Sequence, residues 1–368
     1  MSQVALKSRA TAVAAAPHIP LLGPQPRYRA AIIGLDDLDN QSGRGAQPAT
    51  IQTHAEAYAA MPEVQLIAVA DSNPDRLHRF AKLGSSANGY CSYGEMFRAE
   101  TLDLVSVCVP APLHHRAVLE AVKAGVRAIM CERPLAVTVK EAAEMVTACE
   151  SAGVILAVNH ARRWEPVYLR AKRLLAQGEI GCLSSLAGYY PGRAFTVGTH
   201  LFDLMRFFAG NVAWVSGDAT DQGKIEIGLS GYVRFRSGVQ GLVVSGCGGT
   251  DRLFELDLVG SRGRLRISGN GARLELARFD EADSVVKSWE SLTDRPEEPA
   301  ARLYEQGQQG LAAVRDLLSC LQSGGVPVCS GRDGMAALEI AWALCESATR
   351  GHRRIDLPLH QSLYQWRK

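Results

Sequence analysis

The chain has 368 residues, 47% of them hydrophobic and 21% charged, which is long enough for two domains and a sizeable core. Forty Lys and Arg against 38 Asp and Glu leave a net charge of +2. That balance excludes a protein held to nucleic acid by bulk phosphate neutralisation, and it excludes an acidic disordered chain. No apolar run reaches the roughly 18 residues of a membrane span, so neither nucleic acid nor membrane is expected as a partner. The nine cysteines include no C-x-x-C pair, and most sit in apolar runs. They read as buried reduced thiols, not as a metal site or a disulfide framework, and imply a reducing, cytoplasmic setting.

Residues 1–26 are rich in Ala and Pro without a continuous apolar stretch, and read as a disordered leader. Alternation begins at residue 27. An apolar strand, Tyr28–Ile33, ends at Gly34, and a polar loop covers 35–50. Residues 51–61 have helical spacing. A second strand, Val64–Ala70, ends at Asp71, and 74–83 reads as a helix. A third apolar run, 102–109, ends at Pro110. The helix 115–124 stops at Gly125. Strand 127–131 ends in Glu132-Arg133-Pro134, Val139–Ala152 is a long amphipathic helix, and 153–159 is a further strand. Nearly continuous apolar strands alternating with helices indicate an α/β, doubly wound parallel sheet over 27–160. Such sheets bind ligands beyond the carboxyl ends of their strands, which nominates Gly34, Asp71, Pro110, Glu132-Arg133 and Asn159-His160.

Beyond residue 160 the style changes to α+β. Helices are expected at 167–177, 199–208, 303–322 and 332–349. Strands are expected at 182–190, 224–229, 231–236, 241–245, 252–259, 264–268 and 273–277, with short turns between them. This predicts an open, mainly antiparallel sheet in a second domain, 161–368.

Gly34 ends the first strand, where a glycine lets the chain turn tightly and approach a pyrophosphate. The full G-x-G-x-x-G is absent, and Asp36, Asp37 and Asp39 follow Leu35. An insertion explains this, with Gly43-Arg44-Gly45 bringing backbone and a positive charge back toward the phosphates. The alternative is a plain surface loop. Asp71 follows the second strand directly, where an acid bonds the ribose hydroxyls of NAD and repels the 2′-phosphate of NADP. It also reads as a helix N-cap, and the two roles can fall on Asp71 and its neighbour Ser72.

The stretch VSVCVPAPLHHRAVLEAVKAGVRAIMCERPLA from Val105 to Ala136 resembles the Gfo/Idh/MocA family, named for glucose-fructose oxidoreductase and inositol dehydrogenase. Pro110, His114 and Glu132-Arg133-Pro134 stand where the family has Pro, His and Glu-Lys-Pro. NHARRWEP from Asn159, GEIG from Gly178, GTHLFD from Gly198 and LVGSRG from Leu258 are similar to further family motifs. The resemblance implies a Rossmann domain, a substrate domain whose sheet serves homo-oligomerisation as a dimer or tetramer, and hydride transfer between a nicotinamide and a sugar or cyclitol carbon. It also implies that a Lys, an Asp and a His share the proton transfer. Here Arg133 replaces the Lys, and Thr196 stands where the Asp is common.

Arg stays protonated, so Arg133 orients or polarises an oxygen instead of taking its proton. That leaves His200 as acid/base and Arg133 as its catalytic companion. Cofactor contacts are expected from Gly34, Leu35, Gly43, Asp71, Ser72, Pro110, His114, Glu132 and Arg133. Substrate contacts are expected from His160, Arg163, Trp164, Thr196, Thr199 and His200. Trp164 and Tyr190 read equally as sugar-stacking rings or as packing, and Arg162 as a salt-bridged neighbour. His54 has no assigned role. An NAD-dependent oxidoreductase acting on a small sugar-like molecule is the leading reading. A non-redox enzyme with tightly bound NAD, performing elimination, epimerisation or glycoside cleavage, is a second. A catalytically silent binding or regulatory homologue is a third.

Overall fold

The computed structural model describes residues 28–35, 53–220, 227–246, 253–279, 289–292 and 309–359. The expected leader, the loop from 36 to 52 with Gly43, and Cys247 lie outside the described residues.

In chain order the first half runs β1 (Tyr28–Ile33), α1 (His54–Ala59), β2 (Val64–Ala70), α2 (Pro74–Lys82), β3 (Asn88–Tyr90), α3 (Tyr93–Ala99), β4 (Leu104–Val107), α4 (His114–Lys123), β5 (Ala128–Cys131), α5 (Val139–Ala152) and β6 (Ile155–Val158). The six strands form one parallel sheet in the order β3-β2-β1-β4-β5-β6. This is a Rossmann-like sheet. Its strand order reverses between β1 and β4, which opens a crevice at their carboxyl ends. Every residue of β4 and β5 is buried, as a strand covered on both faces requires. Helix α5 shows why its limits are readable. The Thr138 hydroxyl accepts from the Glu141 N–H, the Glu141 carboxylate accepts from the Thr138 N–H, and Gly153 ends the helix at φ +69°.

The second half runs α6 (Pro166–Ala176), β7 (Leu183–Tyr190), α7 (Thr199–Ala209), β8 (Val212–Thr220), β9 (Gly228–Phe235), β10 (Gln240–Ser245), β11 (Glu255–Gly260), β12 (Gly263–Ser268), β13 (Arg273–Arg278), β14 (Glu290–Ser291), α8 (Gln309–Ser323), α9 (Gly331–Thr349) and β15 (Ile355–Asp356). Its nine-stranded sheet has the order β14-β13-β12-β11-β7-β10-β9-β8-β15. β7 and β10 pair in parallel, and the other neighbours are antiparallel. Helices α7 and α9 cover one face. Leu201 of α7 sits against Gly188, and Leu344 of α9 sits against Gly217 and Gly231. α8 crosses back to the parallel sheet, where Leu311, Val314 and Leu317 join the same core as β5 and β6.

Of the expected strands 224–229 and 231–236, residues 224–226 lie outside the described residues and Gly228–Phe235 form the single strand β9; β8 was not foreseen. The reason is glycine. Gly231 pairs with Gly217 across the two strands, and a Cβ on either would collide with Leu344. These glycines resemble turn residues in sequence but mark a close helix approach within a strand. β3 and α3 were also missed, because Asn88-Gly89-Tyr90 carries no apolar run.

One buried ionic cluster ties the two halves together. Arg163, in the 3₁₀ turn after β6, donates from Nε to Asp203 Oδ2 (2.7 Å) and from Nη2 to Asp203 Oδ1 (2.8 Å). Nη2 also reaches Asp333 Oδ1 of α9 (3.2 Å), and Nη1 donates to the Val328 carbonyl (2.6 Å). Arg206 joins Asp333 at 3.1 Å. Removing one charge from such a pair leaves the other buried and uncompensated. Asp203→Asn is therefore expected to cost about 3 kcal/mol of stability. A fall in the urea midpoint checks this, and an unchanged midpoint would show that Asp333 alone satisfies the guanidinium.

Candidate active site

Cys131 of β5 and Val158 of β6 are register partners, so Arg133 and His160 leave adjacent strands at the same height. Such strands lie about 4.8 Å apart. His160 is 1% exposed. His200, the second residue of α7, meets it edge-on, with ring centroids 5.3 Å apart at 84°. Arg163 and Asp203 each lie three residues beyond one of these rings, so their ion pair sits about one turn away from the imidazole pair.

Nδ1 of His160, Nδ1 of His200 and Oδ1 of Asn159 are buried without a hydrogen-bond partner. Buried polar atoms are nearly always paired, so this trio marks where a ligand's polar atoms belong. Burial pushes His160 down to about 4, with Asp203 opposing the shift and Arg163 and Arg133 adding to it. Burial and then the Arg133 charge hold His200 well below the ordinary imidazole value. Both rings are neutral near pH 7, the state in which an imidazole accepts a proton.

Glu132 anchors the other side. Its Oε1 accepts from Asn159 Nδ2 at 2.6 Å and lies 3.0 Å from His54 Nε2. His54 Nδ1 is 2.9 Å from Ser106 Oγ, itself 2.7 Å from the Tyr58 hydroxyl. Burial opposes the charge on His54, but Cys108 and Glu132 outweigh it and hold its pKa well above the ordinary value. Burial also opposes the charge on Glu132. There His54 prevails, helped by Asn159 and Arg133, and brings the carboxyl to about 2. His54 and Glu132 are thus an ion pair at neutral pH. The sequence assigned His54 nothing because its partner lies far along the chain. The available signal was the capping box of Thr53 and Glu56, which fixes the start of α1 at His54.

At the crevice, Gly34 has φ +92°, and a Cβ there would meet Cys108 C and Val109 N at 2.7 Å, so only glycine fits. Asp71 Oδ2 accepts from the Leu35 N–H and Oδ1 from the Asn73 N–H, both at 2.8 Å. The N-cap of α2 is Asn73, not Asp71. Ser72 is exposed beside it. Pro110 is exposed at the start of a 3₁₀ turn. His114 is buried, its ring nitrogens 2.7 Å from the Val109 carbonyl and 3.0 Å from that of Pro134, which binds the loop after β4 to the loop after β5. Thr196 is half-buried in the single π-turn before α7.

Three of the expected substrate contacts are engaged within the protein. Arg163 is 5% exposed, with its guanidinium committed to Asp203, Asp333 and a carbonyl. Trp164 is 4% exposed within the core beneath α8. Thr199 is buried, and its hydroxyl donates to the Thr196 carbonyl at 2.9 Å. Tyr190 likewise packs inside, donating to the Leu229 carbonyl. Arg162 reaches Asn270 and Glu165 and lies over the Phe254 ring.

The model of an oxidoreductase family with an NAD-binding Rossmann fold matches residues 43–160, and that family's C-terminal alpha/beta domain matches 192–357. The chain belongs to the Gfo/Idh/MocA family. Among curated relatives, D-apiose dehydrogenase of Paraburkholderia graminis is 29% identical over 83% of this chain and 86% of the relative. Myo-inositol 2-dehydrogenase of Thermotoga maritima is 25% identical over 80% and 92%. Of solved structures, levoglucosan dehydrogenase in complex with NADH and levoglucosan superposes with TM-score 0.78 at 21% identity, covering 90% of this chain and 99% of that one. An NAD binding oxidoreductase from Klebsiella pneumoniae gives TM-score 0.77 at 21% identity, covering 91% and 100%.

This Gfo/Idh/MocA chain is an NAD-binding oxidoreductase, and its residues suit that cofactor. The Gly34 turn admits a pyrophosphate. Asp71 Oδ2 also lies 3.5 Å from Arg76 Nη1, and Oδ1 keeps a lone pair beyond its backbone bond for a ribose hydroxyl. Among the described residues no group of His, Cys, Asp and Glu could hold a metal ion, and no helix is long and apolar enough to cross a membrane.

The depressed His160 has a pH signature. Its unfolded form binds a proton below about 6.5, while the folded form binds one only near 4. Its contribution to stability is therefore full above pH 6.5 and falls as the pH drops toward 4. Between pH 6.5 and 4.5 the loss is about 2–3 kcal/mol. His160→Gln is expected to flatten the urea midpoint across that window by this amount, and an unaltered slope would refute the shift.

Proposed function

We propose that the chain is an NAD-dependent dehydrogenase of a sugar, cyclitol or related hydroxy or keto compound. In this reading His200 accepts the hydroxyl proton and Arg133 orients the reacting end of the substrate. The observation that carries the proposal is the neutral His160–His200 pair, with both buried Nδ1 atoms unpartnered, beside a guanidinium at the strand ends. The substrates named for the apiose and inositol relatives support the sugar and cyclitol class.

NAD, when bound, supplies a hydride acceptor. The chain's own residues do the rest. Gly34 keeps side-chain atoms away from the first turn, and Asp71 presents a carboxylate that disfavours a 2′-phosphate, so NAD is preferred to NADP. His114 fixes the Val109 and Pro134 carbonyls, which sets the floor between the β4 and β5 loops. Glu132 lies beside Arg133 at this floor, and Thr196 lines the approach. The Arg163–Asp203 pair keeps the two imidazoles facing each other.

His200→Ala is expected to lower kcat about 100- to 10,000-fold, the usual contribution of a general base. NADH appearance with NAD and a panel of sugars and cyclitols reads this. Retention of full turnover would assign the proton to another group.

Self-association through the nine-stranded sheet is the second part of the proposal. Leu242 is 47% exposed on the face that α7 and α9 leave open, flanked by its register partners Ala187 and Tyr232. An uncovered apolar strip on a broad sheet suits a second copy of the chain. Light scattering is expected to give a dimer or tetramer, and Leu242→Glu to shift it toward monomer. An unchanged mass in the variant would move the interface elsewhere. A cytoplasmic setting completes the proposal, supported by the free thiols: Cys131, Cys149, Cys320 and Cys329 are buried as expected, while Cys91 and Cys182, against that expectation, are exposed.

A further inference from the structure

We propose that the substrate is a sugar acid, an aldonate or uronate, whose carboxylate is held by the Arg133 guanidinium while its reacting hydroxyl faces His200. This rests on the dehydrogenase reading above and specifies the substrate class of that site.

The inference comes from a charge census at the strand ends. Among the described residues, no carboxylate pairs with the Arg133 guanidinium. Its recorded polar contact is made by its backbone N–H, which donates to Glu132 Oε2 at 3.3 Å. Glu132 is the nearest acid in sequence, but it is already matched, since its Oε1 is shared by His54 and Asn159. Arg163 and Arg206 are matched by Asp203 and Asp333, and Arg162 by Glu165. His160 and His200 carry no charge near pH 7. Among the described residues one cation, Arg133, therefore remains over in a half-buried position.

A half-buried cation with no counter-ion among the described residues is open to an anionic group of a ligand. The planar fork of Arg fits a carboxylate with two parallel hydrogen bonds, which a Lys ammonium does not. A monoanion meets the surplus. A phosphate dianion calls for a further cation, and the neighbouring arginines are occupied. The two unpartnered imidazole nitrogens then receive the sugar hydroxyls.

The bound carboxylate also changes the base. The Arg133 charge is one cause of the low proton affinity of both rings. An anion on Arg133 offsets that part of the shift on His200, while burial, the larger cause, remains. In the step itself the carbinol C–H bond breaks, its electron pair passing as hydride to the nicotinamide of NAD. The hydroxyl proton goes to His200 and the carbon becomes a ketone or aldehyde.

The test combines turnover with binding. NAD reduction is measured with aldonates and uronates, with the matching neutral aldoses and cyclitols, and with aldose phosphates. Thermal stabilisation of the protein by the same compounds is measured with NADH present. Wild type and Arg133→Gln are compared, and Arg133→Lys controls for charge without the fork. The expected result is kcat/KM for acids exceeding that for neutral sugars at least about 10-fold. Beyond whatever loss it causes with neutral sugars, Arg133→Gln is expected to raise KM for acids by a further factor of about 10 to 100, the range of a charge-assisted hydrogen bond. Acids that stabilise the wild type but not Arg133→Gln, without turnover of any compound, uphold the anion site and overturn the dehydrogenase reading. Preference for neutral sugars or for phosphates overturns the sugar-acid proposal, and so does equal impairment of all classes in Arg133→Gln. Absence of stabilisation by any acid overturns it as well.

Discussion

The bidentate contact of Arg163 with Asp203 is the constraint on which the rest of this structure depends. Arg163 stands in the turn that leaves the parallel sheet, and Asp203 in the helix that lies on the mixed sheet. The two belong to different layers and are joined at 2.7 and 2.8 Å with almost no solvent. Asp333 brings in the first turn of α9, so three elements converge on one guanidinium. Desolvating these charges is expensive, and only good geometry repays it. That geometry sets the angle between the layers, and His160 and His200, one turn away, inherit it.

The site is therefore arranged as charge inside and neutrality outside. Within the cluster, acids and bases cancel. At the His54–Glu132 pair they cancel again. Between the two lie neutral imidazoles and the Arg133 guanidinium, which no carboxylate among the described residues pairs. An Arg in place of a Lys at this point lacks a proton that can be given up near neutral pH and adds directional donors. Proton transfer then falls to imidazole and recognition to the fork, a division that one Lys would otherwise combine.

Much of this was legible in the sequence. The parallel sheet announced itself through apolar strands of nearly unbroken burial, and α5 through its Thr138 cap and Gly153 stop. Gly34, Asp71, Arg133 and His160 were nominated because strand ends are where such sheets bind. What stayed hidden was pairing across long separations. Arg163 and Asp203 each look like available polar groups until they are seen together, and nothing local distinguishes His54 from a solvent-facing helix residue. Trp164 and Tyr190 stayed undecided, since an aromatic ring has the same sequence appearance in a core as against a sugar. Gly217 and Gly231 hid the extent of β8 and β9, because glycine's lack of a side chain serves turns and close packing alike.

The return of α8 to the parallel sheet has a consequence for the order of events during synthesis. Leu311, Val314 and Leu317 complete the core that β5, β6 and α1 begin. Cys329 and Ser330 then close the outer edge of β6, through the Val158 N–H to the Cys329 carbonyl and a bridge from Ala157 to Ser330. At translation speeds of about 5–20 residues per second, the first half leaves the ribosome roughly 10–30 s before that cover exists. Through that interval it carries an apolar flank and an unpaired strand edge, both of which invite association with other nascent chains. The cofactor sheet is in this sense the first part made and the last part finished.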